Sequence, residues 1–332
     1  GKKINIDELP LNDGKTFELI GRGDLEGIFQ LESSGMKQVV KDFKPNSLED
    51  ISSILALYRP GPLDAGLIPK FINRKNGNEK IDFPHPFIKS ILTETYGIMV
   101  YQEQIMKIAQ VISGYSLGEA DLLRRAIGKK IKSELLNQKE NFVKGAGNKK
   151  IKSSDASKLF SLIERFAEYG FNKSHAAAYA FITYYTAYLK AHYPEEFYCE
   201  LLNNSINNTD KIFIILSEIS SQNIEVIPPD INISDSRFTI HDHKIHYGLA
   251  ALKGVGEESM NELVSNRKEK GIYKSLVDFN KRLSRSVLNK RQIEKLILSN
   301  SFKSIHKDIS KLFSNVETII QKKDENSLFS DE

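Results

Sequence analysis

Two clusters of cations stand where a triphosphate or a nucleic-acid backbone could be held. In the first, Arg124 and Arg125 are adjacent, with Lys129 and Lys130 about a turn further on. Guanidinium forks meet phosphate oxygens through two parallel N–H···O bonds, a geometry that an ammonium cannot offer. In the second, Asn172-Lys173-Ser174-His175 precedes a long apolar stretch. That is the N-terminus of an expected helix, where unpaired backbone N–H groups and the helix dipole favour an anion. Plainer readings stand beside both: an Arg-Arg pair also suits a solvated helix face, and Asn172 and Ser174 are also ordinary caps beside a packed neutral His175. A third arginine opens Arg59-Pro60-Gly61-Pro62, which alone signifies only a turn.

A different chemistry is written in Gly248-Leu249-Ala250-Ala251-Leu252-Lys253-Gly254-Val255-Gly256. Glycines before a helix permit a tight hairpin whose backbone N–H groups can face phosphate unobstructed, the form of a helix-hairpin-helix element that reads DNA without regard to sequence. Lys253, Gly254, Val255 and Gly256 are the expected contacts. A second half runs from Leu288-Asn289-Lys290-Arg291-Gln292-Ile293 to Ser301-Phe302, adding Lys290 and Arg291 as candidate phosphate contacts. His241, His243 and His246 flank Asp242, but alternating histidines more often mark an exposed strand or turn, and no metal site is expected.

These residues need helices to carry them. Ser47 is placed to cap a helix over 48–58, which the Arg-Pro-Gly-Pro turn stops. Ile105, Ile108, Ala109 and Ile112 recur at helical spacing until Gly114, and Ser116 with Glu119 forms a capping box that starts a helix ending at Gly128. On it Leu122, Leu123, Ala126 and Ile127 cluster on one side and the arginine pair on the other. A helix over 155–169 ends at Gly170, and Ser174 is placed to cap a helix from 176 to 192 that is apolar on nearly every face. Beyond residue 222 the texture changes to short alternating segments, Ile224-Glu225-Val226-Ile227 and Arg237-Phe238-Thr239-Ile240. The expectation is a mainly α fold: a multi-helical domain over 1–222, a small helix-hairpin-helix domain with a minor β component over 223–303, and a polar tail over 304–332. The cluster Lys149-Lys150-Ile151-Lys152 reads as a solvated loop.

Five stretches occur in one order: Phe29-Gln30-Leu31-Glu32-Ser33-Ser34-Gly35-Met36, Tyr58-Arg59-Pro60-Gly61-Pro62-Leu63, Tyr96-Gly97-Ile98-Met99-Val100-Tyr101-Gln102-Glu103-Gln104, Leu123-Arg124-Arg125-Ala126-Ile127-Gly128-Lys129-Lys130 and Gly170-Phe171-Asn172-Lys173-Ser174-His175-Ala176. In these the chain resembles the fingers of the alpha subunit of bacterial DNA polymerase III, a C-family replicative polymerase, and the resemblance extends to about residue 303. It implies template-directed transfer of nucleotides from dNTPs to a primer 3′ end, with Arg59, Arg124, Arg125, Lys130, Asn172, Lys173 and His175 handling the triphosphate and Gln102, Glu103 and Gln104 as weaker candidates. It implies primer-template DNA, dNTPs, a sliding clamp and other replisome subunits as partners. Where the family has a glycine this chain has Asn300, a residue that also tolerates the left-handed conformation.

Such polymerases hold two divalent metals, here Mg2+, on palm carboxylates that activate the primer hydroxyl and neutralise the leaving phosphate. No Asp-x-Asp occurs in this sequence, so no catalytic residue is expected in it, and the absence of an initial methionine fits a fragment. A lone Cys199 excludes an internal disulfide framework, and no run of eighteen apolar residues crosses a membrane, so a cytoplasmic protein is expected. A net charge of +4 is too mild to decide for or against nucleic acid by itself. A non-enzymatic helix-hairpin-helix DNA-binding protein and a helical scaffold are the alternatives.

Overall fold

The structure, a computed structural model, describes residues 3–129, 132–167, 169–283 and 287–317. Lys130 lies outside the described residues. The fold is mainly helical with one small sheet, and it divides into two compact units, Gly1–His192 and Tyr193–Glu332. The change of texture near residue 222 therefore does not mark the division of packing. Helices Pro194–Asn204 and Thr209–Ser221 bury Tyr198, Leu202, Ile212 and Ile215 against Phe238 and Ile245 of the strands that follow, which draws them into the second unit.

In the first unit, helix Lys173–His192 lies against helices Leu48–Leu57 and Gly14–Arg22. Helices Gln102–Ser113, Leu117–Lys129, Lys132–Asn148 and Ser153–Ala167 close around Ile105, Ile108, Ile112, Leu123, Phe142 and Phe160. Burying side chains of this size stabilises by roughly 1.5–3 kcal/mol each, which fixes the tilt of the helix that carries the arginine pair.

Local signals set most helix ends. The Ser47 hydroxyl accepts the Asp50 N–H at 3.2 Å, and Gly114 ends its helix at φ +71°. Ser116 and Glu119 exchange side-chain and backbone bonds at 3.3 and 2.7 Å. Other ends differ from the sequence reading. Gly128 lies inside its helix, which continues to Lys129. Asn172, not Ser174, caps the long helix, which begins at Lys173 and buries one face while exposing Phe181 and Ile182. Arg59-Pro60-Gly61-Pro62 is more than a turn: a short helix, Pro60–Asp64, starts there, because a proline in the first helical turn forfeits no ladder bond. Leu122 is 58 % exposed and Leu162 also faces out, so the apolar stripes are narrower than a tally of hydrophobic residues suggests. Lys149 lies exposed in the expected loop, and its ammonium donates to the carbonyls of Gln110 and Val111 at the C-terminus of Gln102–Ser113.

The second unit holds a three-stranded sheet: β1 (Val226–Ile227) runs parallel to β3 (Lys244–His246), and β2 (Thr239–His241) antiparallel to it, in the order β1-β3-β2. The alternating histidines read as a strand or turn fall at the end of β2, in the turn and in β3. Asp242 and His243, both at positive φ, form the two-residue turn between β2 and β3. Helices Glu257–Lys270, Leu276–Arg282 and Lys290–Leu298 surround a core of Val255, Leu263, Tyr273, Phe279, Leu296 and Phe302. The stretch read as a polar tail begins with helix Ile309–Ser314 and buries Leu312 and Val316 in that core.

Candidate functional site

Three successive carbonyls just before helix Lys173–His192 are each held by a candidate residue. Arg59 Nη2 donates to Tyr169 O, Gln102 Nε2 to Gly170 O at 3.2 Å, and the Gln102 backbone N–H to Phe171 O at 2.8 Å. Phe171 N–H returns a bond to Val100 O at 3.0 Å, making a parallel bridge between Tyr101 and Phe171. Arg59 also donates from Nε to Ala56 O at 2.8 Å and lies over the Phe171 ring, 4.7 Å from its centre, and its burial lowers its pKa. It therefore straps the 169–171 segment and does not project freely. Gly61 is required beside it, because a Cβ there would lie 2.3 Å from the Tyr169 ring.

Of the cations proposed for phosphate, Arg59, Arg124, Arg125 and Lys173 each already have an acceptor. Arg124 donates from Nε and Nη2 to Asp121 Oδ1 at 2.9 and 2.7 Å, and from Nη1 to Gln102 Oε1 at 3.3 Å. Arg125 takes the other Asp121 oxygen at 2.8 Å but is 62 % exposed, against 31 % for Arg124. Hydrogen bonding from Arg124, with the charge of both guanidiniums, holds the Asp121 carboxyl below the usual range. With Gln102, Ile105, Gly128 and Lys129 the two arginines line a hollow of about 220 Å3.

At the helix N-terminus Asn172 Oδ1 accepts the His175 N–H at 2.8 Å, and Glu103 Oε2 accepts the Lys173 N–H at 2.9 Å. Lys173 Nζ reaches both oxygens of Glu94 at 2.8 and 2.7 Å. Two carboxylates thus accept from this helix end and its lysine, as expected where unpaired N–H groups and the helix dipole attract anions. His175 is exposed, with its ring 4.2 Å from that of Tyr179.

Sequence reasoning missed Asp121 and Glu94 as partners of the cations and gave Gln102 too little weight. The spacing of Asp121 three and four residues before the arginines was a readable sign of a helical ion pair. Contacts separated by 68 residues, such as Gln102 with Gly170, leave no such trace. Gln104 is buried inside the same turn: its Oε1 accepts the N–H groups of Val100 and Tyr101 at 2.8 and 3.0 Å, and its Nε2 donates to Thr95 Oγ1 at 2.9 Å.

In the second unit Gly254 and Gly256 adopt φ of +88° and +79° around a fully buried Val255, and Lys253 is exposed beside them. Gln292 Nε2 donates to Val255 O and, at 3.0 Å, to Ser259 Oγ, tying the hairpin to helix Lys290–Leu298. Arg291 is exposed, whereas Lys290 is engaged by Glu317 and Glu294, the Glu317 hydrogen bond raising its pKa. Asn300 takes the left-handed conformation at φ +60°. His241 and His246 lie edge to face with ring centres 5.1 Å apart, and among the described residues no three His, Cys, Asp or Glu are grouped to hold a metal ion.

Comparison with known proteins gives a consistent assignment. Residues 1–150 match the family described as bacterial DNA polymerase III alpha subunit finger domain, and residues 223–312 match the helix-hairpin-helix motif. The chain is 44% identical to the DNA polymerase III subunit alpha of Pasteurella multocida over 330 residues, which is 98% of this chain and 28% of that protein. It is 45% identical to that of Thermus aquaticus over 326 residues, 97% of this chain and 26% of the relative, and 43% identical to that of Haemophilus influenzae over 331 residues, 98% and 29%. The chain spans less than a third of the length of these relatives. With matches to the finger domain and the helix-hairpin-helix motif, and more than two-fifths of positions shared along nearly its whole length, it belongs to the family of bacterial DNA polymerase III alpha subunits, whose finger and helix-hairpin-helix portion it carries.

Proposed function

We propose that this chain is the nucleotide-handling and DNA-gripping part of a DNA-directed DNA polymerase that extends a primer 3′ end from dNTPs. The observation that carries this reading is the convergence of Arg59, Arg124, Asn172, Lys173 and His175 on the 169–171 segment, in a chain whose relatives are polymerase subunits. Arg124 and Arg125 grip triphosphate oxygens, exchanging Asp121 for them. Lys173 and the N–H groups at its helix end exchange Glu94 and Glu103 in the same way. Transferring a phosphoryl group demands positioning and charge neutralisation above all, which such residues supply. Mg2+ in the whole polymerase would activate the primer hydroxyl, while the residues named here would bind and orient the triphosphate. A sliding clamp and other replisome subunits are the further partners, in the cytoplasm. No described helix is long and apolar enough to cross a membrane.

Lys173→Met in a complete alpha subunit carrying these residues is expected to lower incorporation efficiency about tenfold, mainly through a higher KM for dNTP, with duplex affinity unchanged. Unaltered incorporation, or an equal fall in duplex affinity, counts against the assignment.

The hairpin makes a separate prediction. Gly254→Val and Gly256→Val force β-branched side chains to positive φ, at a cost on the order of 1–3 kcal/mol, and are expected to weaken duplex binding about tenfold while helical circular dichroism is retained. Binding by the unaltered protein should ignore sequence and fall steeply with salt, because its contacts are to phosphates. Titrations of unrelated duplexes at several salt concentrations check both, and a strong preference for one sequence would remove the helix-hairpin-helix role.

A further inference from the structure

Gln102 is the first residue of helix Gln102–Ser113, where backbone N–H groups have no partner inside the helix, and its own N–H goes to Phe171 O at 2.8 Å. The next residue, Glu103, accepts the Lys173 N–H at 2.9 Å. Two consecutive residues thus join this helix start to the N-terminus of helix Lys173–His192. The half-buried Gln102 side chain carries the connection outward: its Nε2 donates to Gly170 O at 3.2 Å and its Oε1 accepts from Arg124 Nη1 at 3.3 Å. A Cβ at residue 170 would press on it, 3.2 Å from Gln102 Cγ. A carboxamide offers an acceptor to the guanidinium and a donor to the carbonyl at once, whereas a carboxylate would meet Gly170 O with lone pairs.

Arg124 divides its donors in a matching way. Nε and Nη2, the edge that fits two phosphate oxygens, are spent on Asp121 Oδ1, while Nη1 is left for Gln102. We propose that Gln102 is a positioning residue for the nucleotide site. It holds the Arg124 guanidinium by Nη1 while the Nε–Nη2 edge exchanges Asp121 for triphosphate oxygens. Through Gly170 and Phe171 it also keeps that edge in register with Lys173, so that both cations meet one triphosphate. The inference rests on the proposed nucleotide-handling role and adds what aligns its two halves. Gln104, two residues on, has no such part, because it is buried and its carboxamide is spent on Val100, Tyr101 and Thr95.

A double-mutant cycle in a complete alpha subunit carrying these residues tests it, read as single-turnover incorporation of dATP opposite a template thymine. Gln102→Met, of similar length and without hydrogen-bonding groups of comparable strength, is expected to lower incorporation efficiency about tenfold by itself and less than about twofold in the Arg124→Lys background. Gln102→Glu keeps the acceptor for Arg124 and loses the donor to Gly170 O, so it should fall as far as Gln102→Met. Duplex affinity and helical circular dichroism should match the unaltered protein in every variant, since Gln102 keeps its backbone bond. A residue that only supports the fold would cost the same factor in both backgrounds. That result, or normal incorporation by Gln102→Met or Gln102→Glu, overturns the inference while Arg124→Lys still fails by itself. Normal incorporation by Arg124→Lys overturns the nucleotide-clamp reading as well, so the two failures give different patterns.

Discussion

Arg124→Lys in a complete alpha subunit is expected to lower the efficiency of nucleotide incorporation roughly ten- to hundredfold, the equivalent of about 1.5 to 3 kcal/mol of transition-state stabilisation from one charge-assisted contact. Arg125→Lys should cost less. Both substitutions keep the charge and remove the planar fork, so a solvated pair would tolerate them equally. The two arginines are not equivalent in the structure. Arg124 is the less exposed, spends Nε and Nη2 on one oxygen of Asp121, and is steered by Gln102 Oε1, which an ammonium on a flexible stem cannot reproduce at the same time. Arg125 meets Asp121 through Nε and is mostly in water, where long side chains gain little from pairing. Gln102 links this to the helix N-terminus, because the amide that receives Arg124 also donates to Gly170 O. Asp121→Asn is the control in the opposite direction: it removes the internal competitor for both guanidiniums, so dNTP affinity should hold or rise. Single-turnover incorporation alongside duplex titration measures each effect. Normal incorporation by Arg124→Lys, or a parallel loss of duplex affinity, would mean that the pair is not the nucleotide clamp.

What could be read in the sequence and what could not divide along physical lines. Helix ends governed by neighbours three or four residues away were legible, as at Ser47, Gly114, and Ser116 with Glu119. Asn172 was misjudged in favour of Ser174 because both are good caps two residues apart, and packing of the buried face decides which is used. The histidines at 241, 243 and 246 marked a strand or turn, but the bounds and pairing of Lys244–His246 were not legible, since three residues with one buried carry no periodicity. Of the site, the cations were legible by type and motif. Their assembly was not, because the bonds from Arg59 to Tyr169 and from Gln102 to Gly170 join parts of the chain 110 and 68 residues apart. The boundary near residue 222 caught the onset of strands, while the units divide where helices commit their apolar faces, and that depends on partners that come later in the chain.

Asp50→Asn is expected to destabilise the first unit by about 3–5 kcal/mol, because it neutralises one half of a buried pair and leaves the other charged. Asp50 is 4 % exposed, and its oxygens accept from Lys75 Nζ, from the Asn46 N–H at 3.0 Å and from the Tyr96 hydroxyl at 3.2 Å. Lys75 is almost as buried, with its ammonium 4.2 Å from the centre of the Phe43 ring, so water cannot replace the lost carboxylate cheaply. Burial and the Asp50 charge push the Tyr96 hydroxyl well above its usual pKa, so it stays a neutral donor and cannot offset the change. Set against a typical domain stability of about 5–15 kcal/mol, the loss is a large part of the margin. It also falls on a segment that positions the proposed nucleotide site. Tyr96 opens the stretch through Tyr101 that delivers Gln102 to the 169–171 carbonyls, and its own carbonyl is held by Arg74 at 3.0 Å. Removing both charges in Asp50→Asn/Lys75→Met should therefore recover much of the stability lost in the single variant, since a neutral pair of similar shape carries no desolvation debt. Urea denaturation followed by circular dichroism measures the difference. A single-variant loss below about 1 kcal/mol, within the range of exposed pairs, or a double variant no more stable than the single one, would show that Asp50 and Lys75 are not coupled as a buried pair.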